Sequence, residues 1–226
     1  QLRIVLDAGH GGWDQGTVGR DGLAEKSLVL DIVSRLGRLL DERMGAQVIY
    51  TRQNDHYVAL DKRTEIANIA QADLFVSVHA NYSDLASARG VETYYTNTYS
   101  SLKARSEAAA ALQQINWTNV DIRQKVTQSR KLAQEVQRAL YKKLTETAGV
   151  RNRGVKKASY LVLTGTTMPA ILAEVSFISS PEDARNLRDP KYRQQIAEAL
   201  YKGIATYSEN SRRVKMASAS GKSSGK

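Results

Sequence analysis

The sequence predicts a single α/β domain, with a mainly parallel mixed sheet and helices on both of its faces. Segments typical of strands alternate along the chain with segments typical of helices, which is the order found in parallel-sheet proteins. The strand segments are apolar at consecutive positions, as expected where both faces of a sheet are buried. A chain of 226 residues can form one full hydrophobic core, and its sequence shows no internal repeat.

The first half of the chain predicts strands and helices in turn. Residues 2–6 form a short apolar run that leads into a glycine-rich loop. From Glu25 to Met44 the apolar residues recur at helical spacing, and Gly45 follows as a stop signal. The other predicted elements are a strand at 47–51, a helix at 60–70 and strands at 73–79 and 91–96.

The second half begins with an unusual stretch, residues 97–127, in which only an alanine-rich run at 108–111 indicates a helix. A long helix is predicted at 129–147, because leucine or valine recurs every four residues there. Strands at 160–163 and 170–175, a short helix starting at Pro181 and a helix at 192–207 complete the pattern. We therefore expect the domain to span residues 1–210, and the Ser/Gly/Lys-rich residues 211–226 to be disordered.

Composition narrows the classes of function. The absence of cysteine excludes disulfides, thiol nucleophiles and thiolate metal ligands. The formal net charge is +10, and half of this excess lies in residues 211–226, which contain no acid. The charge favours either an anionic partner or simple solubility, but not a nucleic-acid interface, which needs a basic face with interleaved aromatic residues. No apolar run approaches the roughly 18 residues that cross a bilayer.

Four side chains that can bind a metal or transfer a proton occur near predicted strand ends. His10 and His79 follow two strands, Glu174 lies near the end of a third, and Glu25 opens the first helix. Open α/β sheets place their sites at the carboxyl ends of the strands. Two imidazoles and one carboxylate are a usual ligand set for catalytic zinc, and a second, unligated glutamate can act as the general base.

Each of these residues also has an ordinary structural interpretation. A histidine after a strand is usually a hydrogen-bonded loop residue, and a glutamate at a helix start is a favourable partner of the helix dipole. Glu174 is harder to explain in this way, because carboxylates are rarely buried without a partner. His56 lies in a polar loop and is interpreted as a surface residue. Gly11 and Gly12 could belong to a phosphate loop, but no Gly-Lys-Ser/Thr follows them.

Several different motifs follow one another along the chain, and together they indicate a family resemblance. They are residues 4–12, 23–26, 51–52 with Asp55, Arg63 with 67–68, 72–81, 90–92 and 168–178. With these motifs, about residues 2–207 resemble the catalytic domain of zinc-dependent N-acetylmuramoyl-L-alanine amidases. The chain departs from the family pattern at Ser176, where glycine is common, and at Ser180, where asparagine is common.

The resemblance implies zinc (Zn2+) ligands at His10, Glu25 and His79, and a catalytic glutamate at Glu174. It implies hydrolysis of the amide between the lactyl group of N-acetylmuramic acid and L-alanine of the peptidoglycan stem peptide, in the periplasm or the cell wall. We further expect Asn81 and Arg63 to position the site or the substrate. The chain is expected to be a monomer whose partner is peptidoglycan, without nucleic acid and without a membrane span.

Residues 97–127 correspond in position to an insert that, in the cell-separation amidases, blocks the zinc site until an activator protein displaces it. We therefore hypothesise autoinhibition, with residues 101–117 covering the cleft and Glu107 as an extra contact to zinc. An ordinary surface helix is the alternative. For the whole domain, two other functions stay open: a catalytically inert wall-binding module, and a zinc peptidase that cuts within the stem peptide.

Overall fold

The computed structural model of the protein describes residues 1–20, 22–85, 87–97 and 120–223, the last few of them by their backbone alone. Within these ranges one six-stranded sheet has the order β2-β1-β3-β6-β4-β5. The strands are β1 (Arg3–Ala8), β2 (Gln47–Tyr50), β3 (Leu74–Asn81), β4 (Val91–Tyr95), β5 (Asn152–Lys157) and β6 (Ala170–Phe177). All neighbouring pairs are parallel except β4 with β6, which confirms the predicted mainly parallel mixed sheet.

Helices cover both faces of this sheet, as predicted. They are α1 (Glu25–Met44), α2 (Leu60–Ile69), α3 (Ile122–Ala148), α4 (Leu161–Thr164), α5 (Pro181–Arg188) and α6 (Pro190–Ser223). The larger core lies between the sheet and α1, α3 and α6, and a smaller core lies on the other face with α2 and α4. None of the helices in the described ranges combines the length and apolarity that crossing a bilayer requires.

The face of the smaller core also carries the polar residues of the site, because side chains alternate along a strand. On β3, Phe75 belongs to the smaller core, and Ser77 and His79 follow it at two-residue steps. On β6, Leu172 belongs to the same core and Glu174 follows it two residues later. On this face of each strand, the side chains are therefore apolar at first and become polar or ionisable toward the carboxyl end.

Two predicted elements differ from the structure in the second half of the chain. The strand expected at 160–163 is instead the short helix α4, and the strand before it, β5, was not predicted. A four-residue apolar run fits a buried helical turn as well as a strand, whereas β5 is a partly exposed edge strand with no such run. Helix α3 begins at Ile122 rather than 129, where the Asp121 side chain caps it by accepting a hydrogen bond from the Gln124 N–H at 2.9 Å.

Two further predictions concern the carboxyl-terminal residues 211–226 and the insert at 97–127. Disorder was expected from residue 211 onward. The structure instead shows residues 211–223 as the last part of helix α6, which ends at Ser223. Arg, Lys, Met and Ala in this stretch are good helix formers. The predicted insert at 97–127 lies mostly outside the described residues, as do its segment 101–117 and Glu107, and its last part from Ile122 belongs to α3.

Candidate metal centre

The loop after β1 brings His10 to the edge of the sheet by a close backbone approach. A side chain at Gly9 would place its Cβ 2.2 Å from His79 Cε1, and one at Gly16 would place it 2.6 Å from Glu25 Oε2. His10 itself has a φ of 60°, the left-handed region that non-glycine residues rarely adopt. The glycines of this segment are therefore needed because the loop backbone touches the candidate ligands.

Two buried arginines stabilise this loop by donating hydrogen bonds to its backbone carbonyl oxygens. Arg63 pairs with buried Asp7 at 2.7 Å and donates to the carbonyl oxygens of Ala8 and His10 at 2.7 and 2.8 Å. Arg52 donates to the carbonyl oxygen of Gly9 at 2.8 Å. Both arginines are almost inaccessible to solvent. The structure thus places Arg63 where it braces the backbone of the site, rather than at a surface that a substrate could reach.

His10, Glu25 and His79 converge on one point. Each offers a ligand atom, and these atoms lie within 4.8 Å of one another. Glu25 Oε1 lies 3.2 Å from His10 Nε2 and 3.0 Å from His79 Nδ1. His10 Nδ1 lies 2.9 Å from Asp14 Oδ2, an arrangement that commonly orients a metal-binding imidazole and leaves its Nε2 for the metal. Two nitrogen donors and one carboxylate fit zinc well.

The electrostatics of this group favour a cation at its centre. Burial by itself would raise the pKa of Glu25, but hydrogen bonds from His10 and His79 hold it far below its usual range. Burial would lower the pKa of His10, but the hydrogen bond and charge of Glu25 raise it to about 9. The Glu25 carboxylate therefore attracts positive charge strongly, and a divalent cation would take the place that protons otherwise fill.

Glu174 lies beside the group but is not a member of it. It is the register partner of His79 on the neighbouring strand, and it is 9% exposed. Within the described part of the chain, its buried Oε2 has no hydrogen-bond partner. Burial raises the pKa of Glu174 to about 7, although the positive charge of His79 acts in the opposite direction. A carboxyl group with a pKa near neutrality can both accept and donate a proton.

The family model for N-acetylmuramoyl-L-alanine amidases matches residues 4–206. The chain belongs to this amidase family. The amidase LytC of Bacillus subtilis is 35% identical over 204 residues, which are 90% of this chain and 35% of LytC. The chain therefore spans only about a third of that relative's length.

Two solved structures of the amidase family share the fold over nearly their whole length. The amidase AmiC2 of Nostoc punctiforme is 34% identical with a TM-score of 0.73, over 92% of this chain and 97% of that one. The CwlD amidase of Clostridioides difficile, solved in complex with the GerS lipoprotein, is 27% identical with a TM-score of 0.75, over 92% and 99%. The architecture of this amidase-family chain thus agrees with that of its relatives.

Some residues near the candidate metal centre make contacts that the sequence alone did not reveal. Asn81, expected to position the site or substrate, donates to the Glu92 carboxylate at 2.5 Å. Asp14, Arg52 and Glu92 were not candidates, although the last two stand in the matched motifs. Their functions depend on which carbonyl or side chain each one contacts, and residue spacing carries no signal for that.

Proposed function

We propose that the chain hydrolyses the amide bond between the lactyl group of N-acetylmuramic acid and L-alanine of the peptidoglycan stem peptide, with zinc as its cofactor. Membership of the amidase family supports this reaction. The single observation that carries it is a buried, unpartnered Glu174 carboxyl directly beside a His-Glu-His group. Metal-dependent hydrolysis of an amide combines a metal ion that activates water with a side chain that carries the proton.

His10, Glu25 and His79 would hold the metal. When bound, zinc would polarise the scissile carbonyl and lower the pKa of a water molecule. Three protein ligands leave a coordination position open, which distinguishes catalytic from structural zinc. Asp14 orients His10, while the backbone N–H groups of Thr17 and Ala80 hold the Glu25 carboxylate at 2.9 and 3.0 Å. These contacts fix the geometry of the site before substrate arrives.

Glu174 moves the proton. Its carboxylate takes a proton from the attacking water and later gives it to the departing nitrogen of L-alanine. A pKa near 7 suits both transfers, because neither the ionised nor the protonated form is strongly disfavoured at neutral pH. The low exposure of the carboxyl is what raises its pKa to this value.

Two rival functions use the same fold. An inert wall-binding module has no need for a general base, so the presence of Glu174 next to three candidate ligands favours an enzyme. A zinc peptidase would need the same four groups, and only its products differ. It would cut between amino acids of the stem, whereas the amidase releases an intact stem peptide with a free L-alanine amine.

Product analysis of digested peptidoglycan tests the proposal. We expect this chain, loaded with zinc, to release stem peptides whose mass and amino-terminal residue show a cut before L-alanine. A chelator should abolish release, and added zinc should restore it. Shortened peptides would identify a peptidase instead, and absence of any product from zinc-loaded, folded protein would favour the inert module.

Regulation and location follow from the same proposal. Peptidoglycan lies outside the inner membrane, so we place the activity in the periplasm or the cell wall. Autoinhibition by the 97–127 insert, relieved by an activator protein, remains part of the proposal. The complex of the relative CwlD with a lipoprotein shows that an amidase of this fold can bind a partner. Deleting residues 100–120 should raise wall hydrolysis, and an unchanged rate in the folded deletion variant would contradict autoinhibition.

A further inference from the structure

A second buried carboxylate, Glu92 on β4, lies next to the proposed general base. It is the register partner of Glu174 across the antiparallel β4–β6 pair. Its Oε1 accepts hydrogen bonds from Asn81 Nδ2 at 2.5 Å and from the Tyr94 hydroxyl at 2.7 Å. Its Oε2 accepts from Arg153 Nε at 2.8 Å and Lys156 Nζ at 2.5 Å. Glu92 is thus satisfied four times and has no capacity left for catalysis.

A bulge in β5 makes the two cations converge. Residues three positions apart on a regular strand point to opposite faces. Here Val91 pairs with Asn152 but Thr93 pairs with Val155, so β5 contains one extra residue. Gly154 lies within this extra stretch with a φ of 81°. Bulges of this kind redirect side chains and are common next to active sites.

Each cation keeps hydrogen-bond donors that Glu92 does not use. Among the described residues, the terminal nitrogens of Arg153 contact no acceptor, since only its Nε binds Glu92. The guanidinium lies 4.8 Å from the centre of the Phe177 ring, which holds it in place. The Arg153 and Lys156 side chains are 34% and 37% exposed. Two positive charges facing one carboxylate leave one charge uncompensated, together with an open guanidinium fork that matches a carboxylate.

The pair lies at a distance from the cleavage point that a stem peptide can span. Strand β5 is two strands away from β6, or about 10 Å at the usual strand spacing. An extended peptide covers this distance in about three residues. We propose that Arg153 and Lys156 form a subsite that binds a carboxylate within the first residues of the stem peptide. This inference rests on the proposed amidase function and names the part of the substrate that the edge strand recognises.

Peptidoglycan with and without its free carboxylates tests this subsite. One sample stays unmodified, and in the other the carboxylates are converted to amides with a carbodiimide and ammonia. Release of new L-alanine amines is measured for the zinc-loaded chain. We expect amidation to lower kcat/KM by roughly tenfold or more, the range for losing a charge-assisted hydrogen bond. The double variant Arg153→Gln/Lys156→Gln should lose a similar factor on unmodified peptidoglycan and show no further loss on the amidated sample.

Two further variants separate recognition from general effects. Lys157→Gln removes the same charge from the next residue of β5, which lies beside Val126 and Arg130 of α3, so it should leave the preference for free carboxylates unchanged. Arg153→Lys keeps a positive charge next to Glu92 but loses the guanidinium group. This variant should therefore fold normally and lose part of the preference for free carboxylates. Thermal unfolding of each variant checks that it is folded.

The outcomes distinguish the subsite from the proposed function. Equal cleavage of both samples by the unmodified chain overturns the subsite and leaves the amidase proposal standing. An equal loss on both samples in the Arg153 and Lys156 variants also overturns it, because the pair would then only neutralise Glu92. No cleavage of either sample by the unmodified chain contradicts the proposed function and the subsite together.

Discussion

Glu25 and Glu174 are the same residue type a short distance apart, yet their surroundings are opposite. Glu25, at the start of α1, receives hydrogen bonds from two backbone N–H groups and lies within 3.2 Å of two imidazole nitrogens. Glu174, near the end of β6, is also buried but has one oxygen without any partner among the described residues. Burial raises the pKa of both, and only at Glu25 do donors outweigh it.

The difference shows how one kind of side chain can serve two functions in one site. A carboxylate surrounded by donors stays ionised and suits a metal ligand. A carboxyl buried without donors holds its proton near neutral pH and suits proton transfer. The environment, and not the residue type, separates the two. The same substitution, glutamate to glutamine, can therefore test both sites with identical chemistry.

The largest effect is expected for Glu25→Gln. Removing the negative charge between two histidines should lower zinc affinity by more than about 100-fold, beyond the usual effect of changing a residue that only supports a ligand. Activity should be lost together with the metal. Metal content after dialysis against a zinc buffer measures this change. A variant that still binds zinc as tightly as the unmodified chain would show that Glu25 is not a ligand.

Glu174→Gln provides the matched comparison. The variant should bind zinc normally, because Glu174 lies outside the ligand group, but lose at least about 100-fold in kcat, the lower end for removing a general acid–base residue. Zinc content and turnover on peptidoglycan are measured on the same preparation. Turnover close to normal would reject Glu174 as the proton carrier, whereas loss of zinc would move it into the ligand group.

The smallest effect is expected on the pH dependence of stability in metal-free protein. A lowered folded-state pKa stabilises the fold above the ordinary glutamate pKa, so Glu25→Gln should reduce the free energy of unfolding at neutral pH. The pKa of Glu174 is raised to about 7, so the unmodified chain should lose stability, relative to Glu174→Gln, as pH rises from about 4.5 to 7. The slope is at most about 1.4 kcal/mol per pH unit.

Urea unfolding with a chelator at several pH values measures these slopes. Glu146→Gln, on the exposed side of α3, is the reference for removing a carboxylate that faces solvent. Profiles with the same sign for Glu25→Gln and Glu174→Gln would contradict the comparison, because they would mean that both carboxyls have similar environments.

The sheet and its active edge were largely predictable from local patterns. The apolar runs of β1, β3 and β6 are continuous because both faces of those strands are buried, and their polar ends lie at the carboxyl edge. Strand β5 gave no such pattern, since it is an edge strand with a glycine bulge and lysines. Its recognition requires the partner strand β4, which lies more than fifty residues away in the sequence.

The sequence by itself determined the alternation of strands and helices up to β4, and it determined the four candidate residues His10, Glu25, His79 and Glu174, because hydrophobic period and residue type are local properties. Only the tertiary structure decided which glutamate is surrounded by donors and which is not. It also decided that Arg63 braces the His10 loop and that Arg153 and Lys156 converge on Glu92. These properties depend on distances and burial between remote segments, and such quantities exist only once the chain is folded.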